Sequence, residues 1–91
     1  MTFEESKVAD FLKVFENSKN AIRHFEGCMH LELWRDRAQR NVFFTYSFWE
    51  SEKAIDNYRQ SELFDDTWSR TKILFAAKPE AWSLEGLEYL P

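Results

Sequence analysis

The chain has 91 residues, enough for one domain, and a formal net charge of −4 at pH 7. Its Lys and Arg residues form no basic run, so the positive surface that nucleic acid binding requires is missing. No window approaches the roughly 20 apolar residues of a membrane span, and the N-terminus does not resemble a signal peptide. We therefore predict one soluble, cytoplasmic domain over residues 1–91, with neither nucleic acid nor a membrane as partner.

Aromatic residues make up 18% of the chain, including nine Phe and four Trp. This is more than one sheet face needs, and surplus aromatic area usually serves a partner or a pocket. Cys28 is the single cysteine, which excludes an internal disulfide. Because Glu26 and Glu32 nearby disfavour a thiolate, we interpret Cys28 as a small, half-buried apolar residue.

The first helix is predicted from Val8, where apolar residues begin to recur every three or four positions as far as Phe25. Ser6 is the candidate N-cap, and Gly27 is expected to end the element. Only residues 1–3 precede these signals, and they are predicted to form a short first strand.

Two strands follow, over residues 28–37 and 42–49, joined by a polar hairpin connection. The first alternates apolar and polar residues, whereas the second is aromatic and β-branched on both faces. One face of the second strand carries Val42, Phe44, Tyr46 and Phe48, and the other carries Phe43, Thr45 and Trp49. Helices on one side alone would leave an apolar face in water, so the sequence predicts association with a second copy.

Two short helices are predicted next, with Ser51 and Ser61 as N-caps and Tyr58 on the inward side of the first. The second presents one stripe of Phe64, Trp68, Thr71 and Phe75. A last strand is predicted over residues 82–90, with a bulge near Gly86. This order predicts an α+β, ferredoxin-like βαββαβ fold with an antiparallel sheet and a second helix region broken in two.

The aromatic strand, the helix with Tyr58 and the Ser-Glu-Leu-Phe motif at 61–64 together resemble the antibiotic biosynthesis monooxygenase family. Its members often carry a strand-ending Glu-x-Trp, a helix His and a Ser-x-x-Phe motif. Trp49 and the 61–64 motif match, whereas Ser47 stands in the Glu position and Tyr58 in the His position. The resemblance covers nearly the whole chain and implies a dimeric α/β barrel, in which two copies pack sheet against sheet and each holds a pocket.

For function, the resemblance implies a monooxygenase that oxidises a small aromatic or polyketide-like ligand without metal or flavin, so no cofactor is expected. Tyr58 and Trp68 are the candidate catalytic residues, because their hydrogen-bonding groups would orient the substrate. The candidate pocket residues are Tyr46, Trp49, Phe64 and His30. Core packing is the alternative role for these aromatics, and a place at the interface is the alternative for His30.

The haem-degrading branch of the family shares this layout, but the position of its iron-binding His holds Trp68. A protonated indole nitrogen cannot coordinate iron, so haem degradation is not expected. Two other functions stay open, namely a non-catalytic small-molecule-binding or stress-associated dimer and an isomerase of a small oxygenated metabolite. A cavity beside Tyr58, Trp49 and Trp68 would favour the oxygenase, and filled packing the non-catalytic dimer.

Overall fold

Three α-helices lie against one side of an antiparallel β-hairpin in the computed structural model, which describes residues 1–91. The elements are α1 (Val8–Arg23), β1 (Cys28–Arg35), β2 (Phe43–Trp49), α2 (Glu52–Arg59) and α3 (Glu62–Lys72), with a 3-10 turn at Glu5–Lys7. This arrangement confirms the predicted α+β, ferredoxin-like fold, including the division of the second helix region into α2 and α3. None of the three helices is long and apolar enough to cross a membrane.

Single β-bridges extend the hairpin on the β2 side. Thr2 pairs with Val42 and Phe3 pairs with Phe75, both in antiparallel orientation. The order across the sheet is therefore β1, β2, the N-terminal segment and the segment around Phe75. The predicted first strand at residues 1–3 is present as this short central pairing segment, and it brings Phe3 into the core.

The strand predicted over residues 82–90 is absent, and that prediction was wrong. The last backbone hydrogen bond of the chain is the one that Ala76 N–H donates to the Thr2 carbonyl oxygen, at 2.8 Å. The segment around Phe75 takes the fourth place in the sheet instead. Alternation shows only that a segment is able to pair, whereas pairing requires an adjacent strand edge, and no strand of this chain lies beside residues 82–90.

Serine caps begin α2 and α3, as the sequence predicts. The hydroxyls of Ser51 and Ser61 each accept a hydrogen bond, at 3.1 Å, from the backbone N–H three residues later. Ser6, in contrast, does not cap α1, because it lies inside the 3-10 turn and the N-cap position falls on Lys7. The chain begins to coil before Val8, so Ser6 is already within a helical turn when α1 starts.

Gly27 makes the turn between α1 and β1, which confirms its predicted role as the end of the first helical element. Its φ of +88° lies in the left-handed region that favours glycine. A Cβ atom at this position would collide with the Cβ atom of Ala54 on α2. Glycine therefore allows both the turn and the close approach of α2 to the end of α1.

The two faces of β2 have different surroundings. Phe43 is 1% exposed and packs in the core with Phe3, Phe11 and Leu74. The opposite face, called the open face below, consists of three cross-strand pairs: His30 with Phe48, Glu32 with Tyr46 and Trp34 with Phe44. No element of the chain covers the open face, and its aromatic side chains are about half exposed. The prediction that β2 is apolar on both faces is confirmed.

Candidate functional site

A continuous group of aromatic rings lies on the helix side of the sheet. Its members, called the helix-side cluster, are Phe25, Trp49, Tyr58, Phe64, Trp68 and Phe75. Ring centroids of successive members are 5.0 to 6.4 Å apart. The cluster joins the core through Phe75, whose ring centroid lies 5.2 Å from that of Phe3.

Four of the six predicted site residues meet in this cluster. The Tyr58 ring is stacked on Trp49, with centroids 5.0 Å apart, and meets Phe64 edge-on at 5.3 Å. Phe64 and Trp68 lie one turn apart on α3, and their rings are nearly parallel, at 6°. Because the Ser61 cap sets where α3 begins, it also sets which side of the helix carries Phe64 and Trp68.

Two hydrogen-bond donors of the cluster have no partner in the chain, namely the hydroxyl of Tyr58 and the indole nitrogen of Trp68. No polar side-chain atom is both buried and unpaired, so both groups are accessible to water or a ligand. Trp49 differs, because its Nε1 donates to Ser47 Oγ at 3.0 Å. The hydroxyl of Ser47 therefore orients the indole of Trp49.

The environment of Tyr58 keeps its phenol protonated. Burial raises the pKa of Tyr58 to about 12, and the negative charge that Cys28 can acquire adds to this effect. At neutral pH the group is therefore a hydrogen-bond donor and not a base. Cys28 itself is buried, and its thiol points to the His30 carbonyl oxygen, in keeping with its predicted structural role.

We expect the free energy of unfolding to fall as the pH rises from about 10 to 12. Tyr58 ionises near its ordinary pKa of 10.0 in the unfolded chain but only near 12 in the folded chain, so loss of this proton favours unfolding. Urea unfolding at about pH 8 and about pH 11 measures the loss. The loss should be smaller in Tyr58→Phe than in the wild type, and equal losses would contradict the assigned environment.

The other two predicted site residues, Tyr46 and His30, lie on the open face. Their ring centroids are 5.0 and 5.2 Å from that of Phe48. The sheet separates them from the helix-side cluster, so one chain does not bring all six predicted residues together.

A hydrogen-bonded group of three side chains occupies the β1 part of the open face. His30 Nε2 and Trp34 Nε1 each donate to a different carboxylate oxygen of Glu32. The hydrogen bond from His30, followed by that from Trp34, lowers the pKa of Glu32. The carboxylate is thus held ionised and satisfied among exposed aromatic rings. The sequence analysis did not identify this group. The available signal was the two-residue spacing of His30, Glu32 and Trp34, which places one hydrogen-bond donor on either side of a carboxylate on one face of a strand.

Phe25 was also missed as part of the site, since the sequence placed it only on the apolar stripe of the first helix. Its ring centroid lies 5.4 Å from that of Tyr58 and 6.4 Å from that of Trp49. The signal for this contact was indirect. Phe25 directly precedes the Gly27 turn into β1, and β1 begins opposite the end of β2 at Trp49.

Two of the clefts in the surface lie on the helices, and neither of these two is lined by Tyr58 or Trp49. A groove of about 360 Å³ lies between α1 and α3 and is lined mainly by polar residues, including Asp10, Lys13 and Arg70. A second depression of about 470 Å³ lies beside Trp68 and Lys72 on α3. The rings of the helix-side cluster are in contact with one another, and the depression beside Trp68 is the cleft of these two that adjoins the cluster.

Comparisons with known proteins place this geometry in a family. The family model described as antibiotic biosynthesis monooxygenase matches residues 1–69. No curated protein matches the chain. Three solved structures, each assigned provisionally as an antibiotic biosynthesis monooxygenase, have the same fold. Their sequence identity to this chain is low, so the similarity is evidence for the fold and not for the function.

The structure from Caulobacter crescentus CB15 has a TM-score of 0.89 and 20% identity, and the match covers 97% of this chain and 84% of that one. For the protein from Bordetella bronchiseptica the TM-score is 0.81 and the identity 19%, over 96% and 91% of the two chains. The structure from Deinococcus radiodurans has a TM-score of 0.74 and 17% identity, and the match covers 93% of this chain and 92% of that one. Because the family model spans well over half of the sequence, the chain belongs to the antibiotic biosynthesis monooxygenase family.

Proposed function

We propose that the protein is a cytoplasmic monooxygenase that oxidises a small aromatic or polyketide-like phenol without metal or flavin. One observation carries this proposal: the phenol of Tyr58, protonated at neutral pH and without a partner in the chain, is set among aromatic rings. Family membership supports the reaction class. The cytoplasmic location rests on the sequence alone.

In the proposed reaction the protein binds the substrate and donates hydrogen bonds to it, and the substrate supplies the electrons. An oxygenase without cofactor needs a substrate that itself gives electrons to oxygen, as the anion of a phenol or enol can. In the overall change a substrate CH₂ group and O₂ become a C=O group and water, with all four electrons supplied by the substrate. Tyr58 and Trp68 would donate hydrogen bonds to the substrate oxygen and stabilise its anion, while the surrounding rings stack on its plane and exclude water.

Substitution of Tyr58 by Phe tests this role. We expect kcat/KM for oxygen uptake to fall about a hundredfold, as is typical when one donor to a developing anion is removed. The free energy of unfolding at neutral pH should change by less than about 1 kcal/mol, because the hydroxyl makes no hydrogen bond within the chain. An oxygen electrode with an anthrone or a dihydroxynaphthalene as substrate measures the rate, after subtraction of protein-free autoxidation.

Tyr89→Phe is the matched control, since it removes a hydroxyl from an exposed side chain far along the sequence from the cluster. It should behave as the wild type. Absence of oxygen uptake above the protein-free rate across such phenols would contradict the proposed activity. If Tyr58→Phe lowers the free energy of unfolding but leaves kcat/KM for oxygen uptake unchanged, the hydroxyl has a structural role instead.

The open face supports a second part of the proposal, that the protein acts as a homodimer. Its aromatic side chains would leave water on association. The hydrogen bonds from His30 and Trp34 to the two carboxylate oxygens of Glu32 reduce the cost of burying this charge. In such a dimer Tyr46 and His30 lie at the interface, on the far side of the sheet from Tyr58.

A non-catalytic dimer is the second candidate, and the packing of the helix-side cluster favours it. Trp49 stacks on Tyr58 and Phe64 stacks on Trp68, so the rings fill the space in which a substrate would bind. Titration with a phenol, followed by the fluorescence of the tryptophans, separates the two functions. No change in fluorescence together with no oxygen uptake would identify the cluster as core.

A further inference from the structure

Ser47 and Trp49 lie two residues apart on the side of β2 that faces the helices. Side chains of a strand alternate between its faces, so this side also carries Phe43, whose ring is in the core. Ser47 pairs with Leu31 across the hairpin, and Trp49 is the last residue of β2. The hydroxyl of Ser47 accepts a hydrogen bond from Trp49 Nε1 at 3.0 Å. A polar contact therefore joins the middle of the strand to one ring of the helix-side cluster.

The indole of Trp49 depends on this contact for a single orientation. The torsion that turns an aromatic ring about its Cβ–Cγ bond has broad, roughly two-fold minima. Strand pairing restrains the residue weakly, because β2 ends there and the register of the hairpin is irregular between Cys28 and His30. Ring packing alone is non-directional, whereas a hydrogen bond fixes the direction of the Nε1–H bond. Ser47 therefore selects one of the orientations that the torsion allows.

The orientation of Trp49 in turn shapes the surroundings of Tyr58. The two rings are stacked, with an interplanar angle of 27° and centroids 5.0 Å apart. Phe25 and Phe64 meet the Tyr58 ring edge-on, so Trp49 is the ring among these three that packs on its flat face. The position of the phenol oxygen follows from the plane in which the ring is held. A turn of the Trp49 indole would therefore displace the donor that is proposed to bind the substrate.

The same hydrogen bond decides which donors of the cluster are free. It engages the N–H group of Trp49, whereas the hydroxyl of Tyr58 and the indole nitrogen of Trp68 have no partner in the chain. A ligand therefore meets the donors of Tyr58 and Trp68 and not that of Trp49. Without the Ser47 hydroxyl the Trp49 N–H would compete with them for the same substrate oxygen.

We infer that Ser47 is a positioning residue of the proposed site and acts through Trp49. Its hydroxyl holds the indole in the plane on which Tyr58 stacks, and so keeps the phenol of Tyr58 where it donates to the substrate oxygen. This role rests on the monooxygenase proposed above and adds to it a residue that sets the geometry of the site. A misplacement of about 1 Å lowers the rate of an enzyme about a hundredfold, so even a partial loss of order around Tyr58 is measurable.

Ser47→Ala removes the acceptor and is the first test. We expect kcat for oxygen uptake to fall about tenfold while KM changes less than about twofold, because the rings still bind the substrate but hold Tyr58 less firmly. Ser47→Thr keeps the hydroxyl, and a β-branched residue suits a strand, so it should restore kcat to within about twofold of the wild type. An oxygen electrode with the phenols named for Tyr58→Phe measures both constants.

Nuclear magnetic resonance of the indole N–H groups tests the geometry without turnover. The four Trp residues give four indole signals, and that of Trp49 is assigned by its loss in Trp49→Phe. In the wild type the Trp49 proton should exchange with water more slowly than that of Trp68, because it is held in a hydrogen bond. Ser47→Ala should abolish this difference, and Ser47→Thr should preserve it.

Thr45→Val is the matched control, because Thr45 is an exposed residue on the same face of β2 and its hydroxyl holds no indole. It should keep the kcat and KM of the wild type. An unchanged kcat in Ser47→Ala, a loss of kcat that Ser47→Thr does not restore, or an unchanged exchange rate of the Trp49 proton would each overturn the positioning role and leave the proposed reaction in place. A wild type without oxygen uptake would instead overturn the proposed reaction, and the role of Ser47 with it.

Discussion

Replacement of Phe43 by Ala is expected to lower the free energy of unfolding by about 3 to 5 kcal/mol, the usual cost of truncating a buried phenylalanine. Phe43 is 1% exposed, and its ring centroid lies 5.2 Å from that of Phe11 and 5.9 Å from that of Phe3. The guanidinium of Arg35 adds a cation–π contact over the same ring. The core cluster has only four buried residues, so truncation of Phe43 removes a large share of the contacts within the core. Urea unfolding followed by circular dichroism measures the change.

Leu87→Ala is the control for this prediction, since that side chain is 85% exposed and its truncation opens no cavity in the chain. Leu87→Ala should change the free energy of unfolding of a single chain by less than about 0.5 kcal/mol. A loss of less than about 1 kcal/mol for Phe43→Ala would contradict the central position of this ring.

Replacement of Phe44 by Asp is expected to separate the proposed homodimer into folded monomers. Phe44 lies on the open face opposite Trp34 and is 48% exposed within one chain, so a carboxylate there is hydrated in the monomer. In the dimer two such carboxylates would be buried without partners, at a cost of several kcal/mol. We expect the dissociation constant to rise by more than about a hundredfold. Sedimentation velocity reports the association state, and circular dichroism reports the fold.

Phe43 and Phe44 serve as controls for each other, because they are neighbours of the same type on opposite faces of β2. Asp at Phe43 should unfold the chain, whereas Asp at Phe44 should leave the helices intact. A Phe44→Asp protein that dimerises as tightly as the wild type would exclude the open face as the interface. Equal unfolding by both substitutions would show that a single chain does not fold without its partner.

Features that depend on a few neighbouring residues could be predicted from the sequence. The caps at Ser51 and Ser61 each require a hydroxyl and a backbone N–H three positions later. The turn at Gly27 requires a residue that tolerates positive φ. The two-residue period of β2 already separates Phe43 from Phe44, because successive side chains of a strand point to opposite faces.

Features that depend on a distant segment could not be predicted in this way. Residues 82–90 alternate like a strand, yet no strand edge of the chain lies beside them, and Phe75 pairs in their place. Ser6 has the chemistry of an N-cap, but the chain coils before it. Both errors have one cause, since local preference indicates what a segment is able to do and its surroundings decide whether it does so.

The candidate site shows the same division. The residue types of Trp49, Tyr58, Phe64 and Trp68, and the spacing of the last two on α3, were visible in the sequence and sufficed to predict an aromatic cluster. Their assembly with Phe25, the free hydroxyl of Tyr58 and its raised pKa required the tertiary structure. So did the position of Tyr46 and His30 across the sheet from Tyr58. Helix caps and the alternation of side chains along a strand follow from near neighbours, whereas strand pairing, burial and the lack of a hydrogen-bond partner arise only when distant segments pack together.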